Sequence, residues 1–146
     1  MIAAPELVVE GDWSPASGEE GLYRLLRVAP DVDAVFASND QMALGVLHAA
    51  HKLGKRVPED ISVVGVDNIP ESSHFWPPLT TVHQPLIDAG AMAVEEIVRT
   101  IAARRDTRRP AATTEPGSSV LAPELIVRES SRPVAAGGRS NGRAVA

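Results

Sequence analysis

The sequence predicts an α/β fold with a parallel sheet, and three observations support this prediction. An apolar run at residues 34–37 stops abruptly at the polar residues 38–40, where helix-like spacing begins. Residues 61–66, ISVVGV, form a continuous β-branched run, which is typical of a strand covered on both faces. A further β-branched run at residues 79–83 also precedes helical spacing. Strands that alternate with helices favour βαβ units and a parallel sheet.

Composition indicates one domain and excludes several classes of function. A globular chain of 146 residues buries about 68–70% of its unfolded surface, enough for a sizeable core. The absence of cysteine excludes disulfides and thiolate metal sites. The net charge is −5, and the first 96 residues carry 15 acidic but only 5 basic side chains. An acidic body of this kind is not a nucleic-acid-binding surface, because phosphate contacts need clustered Lys and Arg.

The first unit joins a short strand to a helix. Residues 7–9 are predicted to be the strand, and Ser14 followed by Pro15 offers an N-cap with proline at the first helical position. Trp13 lies at the end of the predicted strand. It is either a half-buried packing residue or an apolar plate for a ring-shaped ligand.

The second unit is a strand at residues 32–38 and a helix at residues 40–54. Asp40 is predicted to cap this helix, because its carboxylate can accept the free N–H groups of the first turn. Gly54 supplies a left-handed stop. The apolar face comprises Met42, Ala43, Val46, Leu47, Ala50 and Leu53.

The strand at residues 61–66 ends in Asp67, which is either a turn-forming residue or a ligand-binding carboxylate. Residues 69–78 are predicted to be a loop with at most one short helical turn, and the strand at residues 79–83 ends at Gln84. A helix follows over residues 86–103.

The last part of the sequence with predicted secondary structure is short. A polar connector at residues 108–117 leads to two predicted strands, at residues 120–122 and 125–127, hinged at Pro123. Residues 134–146 are rich in glycine and poor in bulky apolar residues, so they are predicted to be a disordered tail. Residues 1–133 are therefore the predicted domain.

Polar or aromatic side chains lie at four predicted strand ends. In a parallel sheet these ends share one edge, where ligands bind. A carboxylate and amides beside an aromatic ring suit a neutral ligand with many hydroxyl groups, such as a sugar. The candidate ligand-binding residues are Trp13, Asn39, Asp67 and Gln84.

Patterns typical of catalysis are absent from the sequence. No GxSxG nucleophile elbow, HExxH motif or glycine-rich phosphate loop occurs. His48 and His51 lie three positions apart on one helix, but such a pair is more often a surface feature than a metal site. Asp40 and Asp67 have no feature that marks them as an acid–base pair. We therefore predict no catalytic residue, cofactor or metal.

At these residues the sequence resembles the effector-binding core of the lactose-repressor (LacI/GalR) family of bacterial transcription regulators. The similar stretches follow in the family's order and spacing. They are GDWS at residues 11–14, FASNDQMALG at 36–45, RVPEDISVVGVDN at 56–68, PPLTTVHQP at 77–85 and LAPELIVRESS at 121–131.

The resemblance implies a type I periplasmic-binding-protein fold, in which two α/β lobes close on a small ligand. This chain would supply mainly the second lobe, and the helix at residues 86–103 would belong to the missing first lobe, which leaves its apolar face uncovered. The resemblance implies that Trp13 packs on a sugar ring, that Asn39 and Asp67 hydrogen-bond its hydroxyls, and that Gln84 faces the cleft.

The resemblance also implies a homodimer. Contacts would come from the helix that begins at Asp40 and from the loop at residues 71–75, although both can also be ordinary solvent-facing surface. The implied interface residues are Gln41, Met42, Gly45, Ser73, His74 and Phe75.

These features predict the sensor part of a regulator that responds to a sugar-like effector. The DNA-binding headpiece of the family does not precede Met1, so operator DNA is expected as a partner only of a longer protein that has it. With no signal peptide or membrane-spanning run, the expected location is the cytoplasm. A solute-binding protein of a sugar transporter and, less favoured, a small α/β enzyme are the alternatives.

Overall fold

The structure is a computed structural model that describes residues 5–105 and 119–133. The chain divides into two compact units, Met1–His83 with Glu124–Ala146, and Gln84–Pro123. The helices are α1 (Pro15–Val28), α2 (Asp40–Lys52) and α3 (Leu86–Arg105), the strands are β1 (Ala34–Phe36), β2 (Ser62–Val66), β3 (Thr80–His83) and β4 (Glu124–Ile126), and Pro5–Leu7 and Pro70–His74 are short 3₁₀ helices.

The sheet of the first unit has the strand order β1-β2-β3-β4. β1 pairs with β2 and β2 with β3 in parallel, with Val35 opposite Val63 and Gly65 opposite Thr81. β4 adds an antiparallel edge, with Leu125 opposite Val82. The predicted α/β fold with a parallel sheet is confirmed for the first three strands.

Helices α1 and α2 pack closely because each has a glycine at the crossing. A Cβ atom on Gly18 would overlap the backbone carbonyl of Met42, and one on Gly45 would overlap that of Pro15. Both glycines are buried. This close crossing allows both helices to cover the same face of the sheet.

The core lies between these helices and the sheet. Full burial of one of its large aliphatic side chains contributes about 1.5–3 kcal/mol. Its members come from the 3₁₀ helix Pro5–Leu7, from α1, α2, β1 and β2, and from adjoining loops, and they include Leu7, Leu22, Leu25, Val35, Val46, Leu47, Ile61, Val63 and Leu79.

Coverage of β2 differs between its two faces. Val63 and Gly65 are buried, whereas Ser62, Val64 and Val66 are half-buried. The expected coverage on both faces is therefore complete only on the face that carries Val63 and Gly65, where α2 packs against the strand, and partial on the other.

Two predicted strands are also wrong. The strand expected at residues 7–9 is absent, because a hydrogen bond from Val8 N to Pro5 O closes a 3₁₀ turn and Leu7 turns into the core, 2% exposed. Residues 120–122 form no strand either, and Val120 is 89% exposed. β4 begins after Pro123, which cannot donate a hydrogen bond to a sheet.

The second unit is built on α3. Its apolar side chains are largely exposed, as expected from the sequence, and they include Leu86, Ile87, Val94, Ile97, Val98 and Ile101. No helix in the described part of the chain is long and apolar enough to cross a membrane. The predicted connector at residues 108–117 and the predicted tail at residues 134–146 lie outside the described residues.

Candidate ligand-binding site

Asn39 joins the start of α2 to the loop before α1. Its Oδ1 accepts a hydrogen bond from Met42 N at 2.7 Å, which makes Asn39 the N-cap of α2. Its Nδ2 donates to the backbone oxygen of Trp13 at 3.1 Å. The prediction that Asp40 caps this helix is therefore wrong, because Asp40 is the first helical residue and its side chain has other partners.

Trp13 lies in a short turn that leaves its side chain exposed. Its backbone has a φ of 72°, in the left-handed region, and its side chain is 70% exposed. The preceding Asp12 accepts hydrogen bonds from the backbone and hydroxyl of Ser14, and the hydroxyl hydrogen bond lowers the pKa of Asp12. The exposure of the Trp13 side chain argues against the role of a half-buried packing residue, so its indole ring is available as a stacking surface.

Asp40 is a buried carboxylate that connects two segments near the site. Its Oδ1 accepts a hydrogen bond from the Thr81 hydroxyl at 2.6 Å, and its Oδ2 accepts one from Ile69 N at 3.0 Å. Burial raises the pKa of Asp40, and the charge of Asp67 contributes in the same direction. A Cβ on Gly65 would overlap Oδ1, so glycine is required beside this carboxylate.

The chain leaves β2 through two consecutive residues in the left-handed region, Asp67 with a φ of 108° and Asn68 with a φ of 53°. We call these two residues the 67–68 turn. The backbone N–H of Asp67 donates to Val82 O at 2.9 Å, and that of Asn68 donates to the Thr81 hydroxyl at 3.3 Å. Non-glycine residues rarely adopt such conformations, which occur more often at functional sites.

Three of the four predicted ligand-binding residues lie at the carboxyl edge of the sheet in the first unit. Asn39 follows β1, Trp13 is hydrogen-bonded to it, and Asp67 directly follows β2, close enough for its charge to act on Asp40. We call Trp13, Asn39 and Asp67 the carboxyl-edge site. Gln84 follows β3 and begins the second unit, so its participation stays a prediction.

Two of the predicted dimer-interface residues are buried. Gly45 is buried against the backbone of α1, and the Phe75 side chain is 9% exposed and belongs to the core. Both are therefore unavailable to a partner in this conformation. Met42 is half-buried against the core, whereas Gln41, Ser73 and His74 are exposed.

Arg128 is a site residue that the sequence reasoning missed. Its guanidinium donates hydrogen bonds to Asn68 Oδ1 and Leu79 O, both at 2.7 Å, and to Ser72 Oγ at 3.2 Å. The only sequence signal was its place in the similar stretch LAPELIVRESS. Nothing local indicated a partner 60 positions away.

The described residues offer little for metal or acid–base chemistry. Within residues 5–105 and 119–133 no three acidic or histidine side chains are close enough to hold a metal ion. His48 and His51 are both exposed, and His48 Nε2 lies 3.8 Å from Glu19 Oε2.

A parallel sheet with an aromatic ring, an amide and a carboxylate at its carboxyl edge is the arrangement of an α/β small-molecule-binding domain. Residues 4–131 match the family described as periplasmic binding protein-like domain. The chain belongs to this family, as its predicted fold implied.

Similar proteins are bacterial transcription regulators. The HTH-type transcriptional repressor PurR of Escherichia coli O1:K1 / APEC is 38% identical over 131 residues, which cover 89% of this chain and 36% of that protein. The structure of a transcriptional regulator CelR–cellobiose complex is 41% identical with a TM-score of 0.77, over 89% of this chain and 37% of that one.

A lac repressor dimer bound to operator and the anti-inducer ONPF is 34% identical with a TM-score of 0.72, over 84% of this chain and 40% of that one. The predicted resemblance to LacI-type regulators is thus confirmed. This chain spans a little over a third of the length of the curated relatives that it matches.

Proposed function

We propose that this chain is the effector-binding and dimerisation part of a LacI-type transcription regulator, and that its effector is a sugar-like small molecule. The hydrogen bond from Asn39 to Trp13 carries the proposal, because it ties the backbone of Trp13, whose indole ring is exposed, to the start of α2. Similarity to a regulator described in complex with cellobiose supports the choice of a sugar.

Each member of the carboxyl-edge site has a distinct part in this proposal. The indole of Trp13 stacks on the apolar face of a sugar ring, as aromatic rings do with flat apolar surfaces. The Asp67 carboxylate accepts hydrogen bonds from hydroxyl groups, and the Asn39 amide retains one N–H and one acceptor position. Gln84, which directly follows β3, is the fourth residue of the proposal. Residues 1–133 form this partial effector domain.

Regulation follows from differential binding. An effector that prefers one conformation shifts the population towards it, and in a longer regulator this changes the relative position of two DNA-binding headpieces. Operator DNA is then bound by the headpiece, and the setting is the cytoplasm. Similarity to a lac repressor dimer supports a homodimer, for which the exposed Gln41, Ser73 and His74 are the interface candidates.

The alternatives have less support. A solute-binding protein of a sugar transporter fits the family but not the similar proteins described above, which are repressors and regulators. The alternative of a small α/β enzyme would use Asp40, but the carboxylate of this buried residue already accepts hydrogen bonds from the Thr81 hydroxyl and from Ile69 N. The proposed function is therefore non-enzymatic.

Calorimetric titration of the chain with cellobiose and with lactose tests the proposal. We expect saturable binding of at least one sugar, and Asp67→Ala weakens it at least fivefold, since losing a partner of a polar group costs about 1 kcal/mol. Asp31→Ala is the matched control, because Asp31 is exposed and precedes β1. Absence of binding, or equal effects of both variants, contradicts the proposal.

A further inference from the structure

Arg128 lies just after β4 and binds three separate parts of the first unit. Its Nη2 donates to Asn68 Oδ1, and its Nη1 donates to Leu79 O and Ser72 Oγ. Its backbone N–H also donates to the Thr80 hydroxyl at 2.9 Å. Arg128 is half-buried, so these hydrogen bonds, which a cationic donor strengthens, are shielded from water.

The 67–68 turn needs such support because both of its residues have side chains and positive φ angles. On one side, the Asp40 carboxylate accepts a hydrogen bond from Ile69 N, and the Thr81 hydroxyl accepts one from Asn68 N. These contacts hold the backbone at Asn68 and at Ile69. They leave the Asn68 side chain to be held by another group, and Arg128 is that group.

We propose that Arg128 is a positioning residue for effector binding: through Asn68 it fixes the 67–68 turn and thereby the direction of the Asp67 carboxylate. This inference rests on the proposed function of the carboxyl-edge site. Arginine suits the role because its planar guanidinium serves Asn68 Oδ1 and Leu79 O with two different nitrogens. A lysine ammonium keeps the charge but lacks this fixed fork.

Amide hydrogen exchange in the sugar-free chain tests the first step. In Arg128→Lys we expect the amides of Asn68 and Ile69 to exchange about tenfold faster, because they report local opening of the turn. The Ala37 amide, which donates to Val64 O at 2.8 Å in the β1–β2 pair, should be unchanged. Arg132→Lys is the matched control, since Arg132 is exposed in the same segment.

Uniformly faster exchange at all three amides would show a loss of overall stability only, and this result overturns the proposal. Unchanged exchange at Asn68 and Ile69 overturns it as well. Asn68→Ala provides a second variant, because it removes the acceptor while the Arg128 bonds to Leu79 O and Ser72 remain. It should reproduce the faster exchange of the Ile69 amide.

Calorimetric titration with cellobiose and with lactose tests the second step on whichever sugar binds. Arg128→Lys and Asn68→Ala should each weaken binding about fivefold, and the double variant should be no weaker than either, because both variants lose the Arg128–Asn68 hydrogen bond through which Arg128 is proposed to act. Additive losses overturn the proposal. If the unmodified chain binds neither sugar, the proposed function fails, and the exchange comparison alone decides whether Arg128 fixes the turn.

Discussion

The side-chain nitrogen of Asn39 donates a hydrogen bond to the backbone oxygen of Trp13 at 3.1 Å, although the two residues are 26 positions apart. The oxygen of the same amide caps α2 at Met42 N. One side chain therefore sets the beginning of a core helix and holds the backbone of the residue that carries the exposed indole.

Substitution of Asn39 should separate these two roles. Asn39→Ala loses the cap and should lower the free energy of unfolding by about 0.5–2 kcal/mol. Asn39→Ser keeps a neutral N-cap acceptor for Met42 N but loses the amide donor to Trp13 O, so it should retain most of this stability. Urea unfolding measures the free energies.

Mobility of Trp13 distinguishes the same two variants. With Trp76→Phe as background, Trp13 is the single tryptophan of the chain. Asn39→Ser should then lower its fluorescence anisotropy even though the chain stays folded. If the anisotropy equals that of the Trp76→Phe background alone, the hydrogen bond does not hold Trp13.

The two glycines at the α1–α2 crossing should not tolerate a side chain. Gly18→Ala and Gly45→Ala each place a Cβ against backbone, so each should lower the free energy of unfolding by about 1–3 kcal/mol or more. Gly21→Ala is the control within α1, because the nearest atom to its Cβ would be 3.9 Å away. It should raise the stability by about 0.5–1 kcal/mol. Urea unfolding of all three variants checks this, and a neutral Gly45→Ala contradicts the close crossing.

The contribution of Asp40 to the free energy of unfolding should fall as pH rises. Because burial raises its pKa above the ordinary 3.8, the folded chain binds this proton more tightly than the unfolded chain does. Its contribution is therefore most favourable below pH 3.8 and declines as pH increases from there through the folded pKa. The stability of the unmodified chain relative to Asp40→Asn should decline over this range in denaturant titrations.

Asp60 provides a comparison of opposite sign. Hydrogen bonds from the side chain and backbone of Arg56 hold the pKa of Asp60 below 3.8, so its contribution is present above pH 3.8 and is lost as pH falls. Stability relative to Asp60→Asn should therefore increase with pH over the acid range. Slopes of the same sign for both residues would contradict the assignment.

The proposed dimer surface predicts a change in association without a change in fold. Ser73→Glu combined with His74→Glu should weaken self-association measured by sedimentation equilibrium, because charge would be buried between two copies. His51→Glu on the exposed end of α2 is the control. If the control weakens association equally, the 3₁₀ helix Pro70–His74 is not the interface.

Local sequence predicted the elements of the fold better than the contacts between them. The strand–helix transition at Asn39 could be recognised, but Asn39 and Asp40 are both suitable caps and only tertiary contacts distinguish them. The partner of Asp40, Thr81, is 41 positions away. The family resemblance implied that Gly45 is an interface residue, and a glycine gives no local sign of which helix lies against it.

Asn39 and Asp67 could be predicted at one edge because parallel strands share a carboxyl edge. Trp13 reaches this edge through its hydrogen bond with Asn39 and not through the predicted strand. Arg128 could not be predicted, since its hydrogen bonds depend on how the segment after β4 crosses the sheet. The prediction of a strand at residues 7–9 was wrong, because a 3₁₀ turn that begins at Pro5 forms there and a pattern of only three apolar residues is too short to indicate a strand reliably.

The most direct test of the carboxyl-edge site is a sugar titration followed through the two indole N–H signals in ¹H–¹⁵N spectra. Trp76 is the internal control, because it is 91% exposed and follows the 3₁₀ helix Pro70–His74. With cellobiose or lactose, the Trp13 signal should shift saturably while the Trp76 signal stays in place. Equal shifts of both signals, or no shift of Trp13 with either sugar, would contradict sugar binding at Trp13, Asn39 and Asp67.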